Sequence, residues 1–203
     1  MKKESKTRPS VQIPPQYTGK HLELVATRVL IDEQQARTLF KAAKSRLLDV
    51  NHWYDVAEIP ASVFRLTDPF GGEVIKSYPT KNDNIRIDIP GPGAPGGDGF
   101  DWVVIEDVTD IPDTCCSLTL RPTDNPLNLS AETAHFFKDS ATSTLTVERR
   151  GCEVIARYFG RNEVVNDATD SLIDKARNIA VGFMAKLGLS NPQWRSLIEG
   201  LVR

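Results

Sequence analysis

Asp170–Gly188 reads DSLIDKARNIAVGFMAKLG. Its apolar residues, Leu172, Ile173, Ala176, Ile179, Ala180, Phe183, Met184 and Leu187, fall at i, i+1, i+4, i+7, i+8, i+11, i+12 and i+15. That spacing returns every side chain to one stripe of a 3.6-residue helix. Such a helix is about 28 Å long at 1.5 Å per residue, enough to cross a whole sheet. Gly188 stands where a helix closes on a left-handed residue. Ser190, Pro192 and Gln193 then open a short final helix carrying Trp194, Leu197, Ile198 and Leu201.

A long helix with one apolar stripe needs an apolar surface to cover it, and the chain upstream supplies strands. HLELVATRVLI predicts a first strand over about 22–31. Asp32 comes next as a helix N-cap with Gln35 in capping-box position, and Ala36, Leu39, Phe40, Ala43 and Leu47 recur at helical spacing. The other side of this helix holds Arg37, Lys41, Lys44 and Arg46, read as a solvated face. DVNHWYDVAEIP predicts a short second helix or irregular turn ending at Pro60. From there to about residue 160 the pattern is strands and turns. SVFRLT leads into a reversal at DPFGGEV, and NIRIDI puts Ile85, Ile87 and Ile89 on one face. FDWVVIEDV, CCSLTLRP and TSTLTVERRGCEVIARYFG continue the series, the last turning back near Arg150-Gly151.

Between two of these strands, Ile89–Gly99 (IPGPGAPGGDG) contains a literal G-x-G-x-x-G. A dinucleotide site requires that motif to come after a strand and open a helix whose amides hold the pyrophosphate. Here Pro92 and Pro95 remove amides, and the chain runs on into a Trp- and Val-rich strand. No Lys-Ser or Lys-Thr makes it a P-loop. The match is an accident of a connecting loop, and no cofactor is expected.

The 203 residues suit one domain, with 40% hydrophobic residues for a core and 26% charged residues outside. A net charge of −2 provides no basic field for nucleic acid. Residues 1–19, with Pro9, Pro14 and Pro15, read as a flexible tail rather than a signal peptide, and no apolar run is long enough to insert in a membrane. Cys115, Cys116 and Cys152 lack framework spacing and read as reduced, buried thiols in a cytoplasmic setting. His21, His52 and His135 form no ligand pair, so no metal is expected.

The order of elements is strand, helix, short helix, antiparallel strands, long amphipathic helix. On LVATRVLIDEQQARTLF and DSLIDKARNIAVGFMAKLG this resembles the helix-grip fold of the START and Bet v 1-like superfamily over residues 20–188, with 189–203 as an appended helix. The fold class is α+β, a curved antiparallel sheet wrapped around the long C-terminal helix. The cone-shaped fold of the nuclear-transport-factor-2 type is the alternative, although it has more helix before the sheet. The resemblance implies a cavity between sheet and helix of the kind used for lipids, sterols or polyketides.

Alternation puts Ile85, Ile87, Val103, Ile105, Leu118, Leu120, Leu145, Val147, Val154 and Tyr158 opposite Ile179, Phe183 and Met184. This lining holds a hydrophobic or amphipathic ligand, with Tyr158 as a polar handle, or collapses into a packed core; the sequence leaves both open. Glu106, His135 and Arg161 are candidates for a polar cavity mouth, Glu106 because it shares a strand face with Trp102. YFGRNEVVND adds Asn162 and Glu163, which either grip an anionic group or orient the chain ahead of the long helix. Three functions are consistent with this pattern. The first is a non-catalytic binder of a small lipid-like molecule, which the apolar lining favours. The second is a cyclase- or hydrolase-type enzyme using the same cavity. The third is an interaction module whose Trp194, Leu197, Ile198 and Leu201 stripe pairs with a second copy instead of packing back.

Overall fold

The computed structural model describes residues 11–59, 62–74, 78–88, 98–128, 137–164 and 192–203. Seven strands form one antiparallel sheet in the order β1-β7-β6-β5-β4-β3-β2. They are β1 (Lys20–Val29), β2 (Val63–Thr67), β3 (Asn84–Asp88), β4 (Asp101–Ile111), β5 (Cys115–Pro122), β6 (Thr142–Arg150) and β7 (Glu153–Glu163). Helix α1 (Glu33–Leu48), a 3-10 turn (Val50–His52) and α2 (Trp53–Ala57) lie between β1 and β2, and α3 (Pro192–Leu201) ends the chain. The class is α+β with the helix-grip order of elements. The helix expected over 172–187 lies outside the described residues.

Asp32 caps α1 as its sequence suggests: its carboxylate accepts the Gln35 amide at 2.7 Å, satisfying one of the helix's free N–H groups. Ala36, Phe40, Ala43 and Leu47 turn inward and are buried. They meet one face of the sheet, which carries Leu24, Ala156, Tyr158, Leu145, Val147, Cys116, Leu118, Leu120, Ile105, Ile85, Leu66 and Phe64 in a single core. Burying each large side chain contributes about 1.5–3 kcal/mol. The register confirms that the alternation places these residues on one face: Ile85 opposes Val103, Ile105 opposes Leu120, Leu118 opposes Leu145, and Leu145 opposes Tyr158.

Helix α3 is built into that core. Leu197, Ile198 and Leu201 are at most 1% exposed and Trp194 is partly buried. Of the two fates open to this stripe, packing back or meeting a second copy, it packs on its own domain, where Trp53, Phe64 and Tyr158 give its indole an aromatic seat. α3 approaches α2 so closely that a Cβ on Gly200 would overlap the Val56 carbonyl. Arg46, expected on a solvated face, reaches the open end of α3 and donates to the carbonyls of Leu201 and Arg203, both at 2.9 Å. A guanidinium there satisfies free carbonyls and complements the helix dipole. Lys44 of the same face pairs with Asp110.

β3 and β4 are direct antiparallel neighbours, with Ile87 opposite Asp101. The glycine-rich stretch therefore joins adjacent strands, and it leads into strand β4 rather than into a helix; Ile89 and residues 90–97 lie outside the described set. Of the expected tail, residues 1–10 also lie outside it. Residues 15–18 are held by the Asn162 side chain, which donates to the Pro15 carbonyl at 3.0 Å and accepts the Tyr17 amide at 2.8 Å.

Candidate ligand-binding site

The polar end of the apolar face begins with an irregularity in β7. Lys20 opposes Glu163 but Leu22 opposes Gly160, so β7 carries an extra residue there. Asn162 absorbs it at φ 55°, a left-handed conformation that Asn tolerates better than most residues. Plain alternation would put Glu163 on the face opposite Tyr158. The bulge turns it back, and its carboxylate lies over Gly160, where a side chain of any size would overlap Glu163 Oε1. Bulges beside functional sites commonly re-aim a side chain in this way.

Glu163 stands beside Tyr158, which in turn meets Ser143. The Tyr158 hydroxyl lies 2.9 Å from Ser143 Oγ and hydrogen-bonds to the Glu163 carboxylate. Tyr158 is 1% exposed, and its ring stacks on Trp194 with centroids 4.7 Å apart and planes 17° from parallel. Burial pushes the phenol well above its ordinary pKa. Burial also raises the Glu163 carboxyl, opposed by the positive charge of Lys20 and by His21 and the Tyr158 hydrogen bond. A carboxyl with a raised pKa beside a buried phenol can accept or hold a proton in an otherwise apolar setting.

Gly160, Ser143, Leu120 and Ile105 form one row across β7, β6, β5 and β4. The notch over Gly160 thus continues into apolar sheet toward Val103, Ile85 and Ile87; Val103 and Ile87 are only partly buried. Leu118 and Val154 are wholly buried in the core that α1 joins. Ile179, Phe183, Met184 and His135 lie outside the described residues.

The other two expected mouth residues face away from this site. Glu106 sits at a β4 bulge, between Ile105 and Asp107. Arg121 holds it in a bidentate pair with contacts of 2.9 and 3.0 Å. Arg161 alternates away from Tyr158, pairs with Glu23 and stands over the Phe159 ring at 5.4 Å. Both point to the outer face of the sheet. Sequence alone does not single out Ser143, because a serine in TSTLT looks like its threonine neighbours. Its one signal is its even spacing with Leu145 and Val147. The bulge hides the face of Glu163.

The outer face of the sheet is itself partly covered. Thr142, Thr144, Thr146, Ser117 and Thr119 are buried on it, and Thr119 and Thr144 hydrogen-bond at 3.1 Å. Cys115 on this face and Cys116 on the core face are both free and buried, their thiols pushed up to about 11 and about 12 by desolvation. Among the described residues no group of His, Cys, Asp or Glu could hold a metal ion, and no helix is long and apolar enough to cross a membrane.

No family model and no curated protein matches the sequence. Solved structures do match in shape. Major latex-like protein 151 from Panax ginseng aligns over 88% of this chain and 96% of its own, at 11% identity and a TM-score of 0.45. A protein from Nitrosospira multiformis aligns over 89% and 94% at 11% identity and a TM-score of 0.43. A norcoclaurine synthase point mutant from Thalictrum, solved with a transition-state analogue, aligns over 90% and 94% at 11% identity and a TM-score of 0.39. The helix-grip description itself rests on this chain's own strand order and register.

Proposed function

We propose that this protein binds a small hydrophobic or amphipathic molecule on the helix-covered face of its sheet, without transforming it. The observation carrying this reading is the Tyr158–Ser143–Glu163 cluster set over Gly160 at the end of an apolar row. Glu163 is half-buried at the end of β7, beside Lys20, His21 and Tyr158, and a carboxyl so placed can meet the polar end of a ligand whose body is apolar. That body lies along Leu120, Ile105, Val103, Ile85 and Ile87, and its polar end meets Tyr158, Ser143 and Glu163.

Native mass spectrometry of protein purified from its own host, before and after organic extraction, tests the reading. A bound mass removed by extraction is the expected result. A bare monomer mass, with Trp194 fluorescence unmoved when the host's own lipid extract is added back, overturns it in favour of a packed core.

A second reading, catalysis at the same place, is favoured by the raised pKa of Glu163 beside the phenol, a pairing suited to general acid–base work. It is told apart by the bound molecule: an enzyme converts the molecule when intact, and Glu163→Gln retains binding while stopping conversion.

A further inference from the structure

The two edges of the sheet are finished differently. The β2 edge is five residues long and is occupied: the Leu66 amide donates to the Asn51 side chain at 2.8 Å, and Arg65 donates to the Asn51 carbonyl at 3.3 Å. The β1 edge runs for ten residues without a proline, and among the described residues no strand pairs with it on its far side. Proteins usually blunt such an edge by keeping it short, covering it or loading it with charge. β2 has that treatment and the middle of β1 does not.

The direction of the free groups follows from one hydrogen bond. The Leu30 amide donates to the Cys152 carbonyl at 2.8 Å, continuing the β1–β7 ladder past Val29. Backbone groups alternate sides along a strand of an antiparallel pair, so Leu24, Ala26, Arg28 and Leu30 bond to β7. Glu23, Val25, Thr27 and Val29 therefore turn their N–H and C=O groups to the open edge. Their side chains lie on the outer face, opposite buried Leu24, and Thr27 is exposed with Val25 at 60% and Val29 at 69%.

This strand is complementary to itself. A two-fold axis normal to the sheet places a second β1 antiparallel to the first, with both helix-covered faces on the same side. The outward-bonding residues then oppose one another in hydrogen-bonded pairs. With the axis at Thr27, that threonine meets its own copy and Val25 meets Val29 of the second copy on either side. An axis at Ala26 sets Val29 against Glu23, one at Val25 sets Val29 against His21, and one at Arg28 sets two guanidinium groups directly opposite. Of the registers centred from Val25 to Val29, only the one at Thr27 gives both valines an apolar partner.

We propose that β1 is a dimerisation edge, on which a second copy of this chain adds its own β1 in the Thr27-centred register and joins the two sheets into one. Thr–Thr and β-branched pairs are favourable cross-strand neighbours. The surface is distinct from the Trp194 stripe, which is used up inside the domain.

The test is sedimentation velocity of the full chain from micromolar to near-millimolar concentration, where a reversible dimer is expected. Thr27→Lys changes an exposed side chain and sets like charges opposite across the axis. It should weaken the dimer about tenfold or more while far-UV circular dichroism stays unchanged. Thr27→Cys reads the register by a second route. Paired Cα atoms about 5.5 Å apart suit a disulfide, so mild oxidation should link this variant to itself, with the parent chain as the control for its own three cysteines. Val25→Cys should link to Val29→Cys in a mixture more readily than to itself. A monomer throughout the range, a dimer that Thr27→Lys leaves intact, or Val25→Cys linking to itself faster than Thr27→Cys would each overturn the proposal.

Discussion

Gly160→Ala separates a binding site from a packed core. A methyl there overlaps Glu163 Oε1 and stands 3.2 Å from Tyr158 Cε1. The carboxylate is the far end of a flexible side chain and retreats toward water, while the phenol ring shifts by a few tenths of an ångström. Moving Glu163 out relieves its desolvation, and alanine is better than glycine inside a strand by roughly 0.5–1 kcal/mol. The variant should therefore be as stable as the parent or about 1 kcal/mol more so, a melting temperature higher by roughly 2–4 °C for a chain of this size. Binding should go the other way. A lost hydrogen bond to a charged group is worth about 1.5–3 kcal/mol, roughly ten- to a hundredfold in affinity. Calorimetric melting and native-mass occupancy, measured on the same preparation, give both numbers. A fall of more than about 6 °C, or roughly 1.5–3 kcal/mol by the same scale, would refute the mobility of Glu163. Unchanged occupancy would refute its role in binding.

Glu163→Gln should alter the pH profile of stability. The folded carboxyl has a pKa above its ordinary 4.5, so between those two values the native state binds more protons than the unfolded state. Stability from this group is then fully present below pH 4.5 and is lost as pH rises through the raised value; melting scans from pH 4 to 8 should show that loss shrink in the variant. Gly200→Ala should destabilise despite its better helix propensity, because its Cβ meets the fixed Val56 backbone. Overpacking of this kind costs about 1–3 kcal/mol, read as a lower midpoint in urea. Arg46→Met keeps most of the aliphatic stem but strips the α3 carbonyls of their donor, and should cost about 1–2 kcal/mol in the same titration.

Alternation within each strand needs no knowledge of neighbours, and it is why Ile85, Ile105, Leu118, Leu145 and Tyr158 share one face; the order of the strands in the sheet does not follow from it. The α1 cap was legible for the same local reason, a carboxylate three residues before the amide it accepts. The features that escaped are long-range. Arg46 looks solvated until α3 arrives from the far end of the chain, and the Trp194 stripe looks free until Trp53 and Phe64 receive it. Glu163 was named in its polar stretch, but not its face, which the extra residue at left-handed Asn162 changes. Asn162 is itself fixed by hydrogen bonds to residues 15–18, more than 140 positions away.

These long-range ties place the site under the control of the chain's beginning. The bulge that aims Glu163 at Tyr158 is the same turn whose side chain holds Pro15, Tyr17 and Thr18. A few residues earlier, Val11 and Ile13 wall a cavity on the outer face. One segment thus touches both faces of the sheet. Its polar, proline-bearing composition reads as a tail, yet its hydrogen bonds make it part of the site. The physical reason is that Asn162 uses one side chain both as acceptor for the Tyr17 and Thr18 amides and as donor to the Pro15 carbonyl, which secures the strained turn and the segment together.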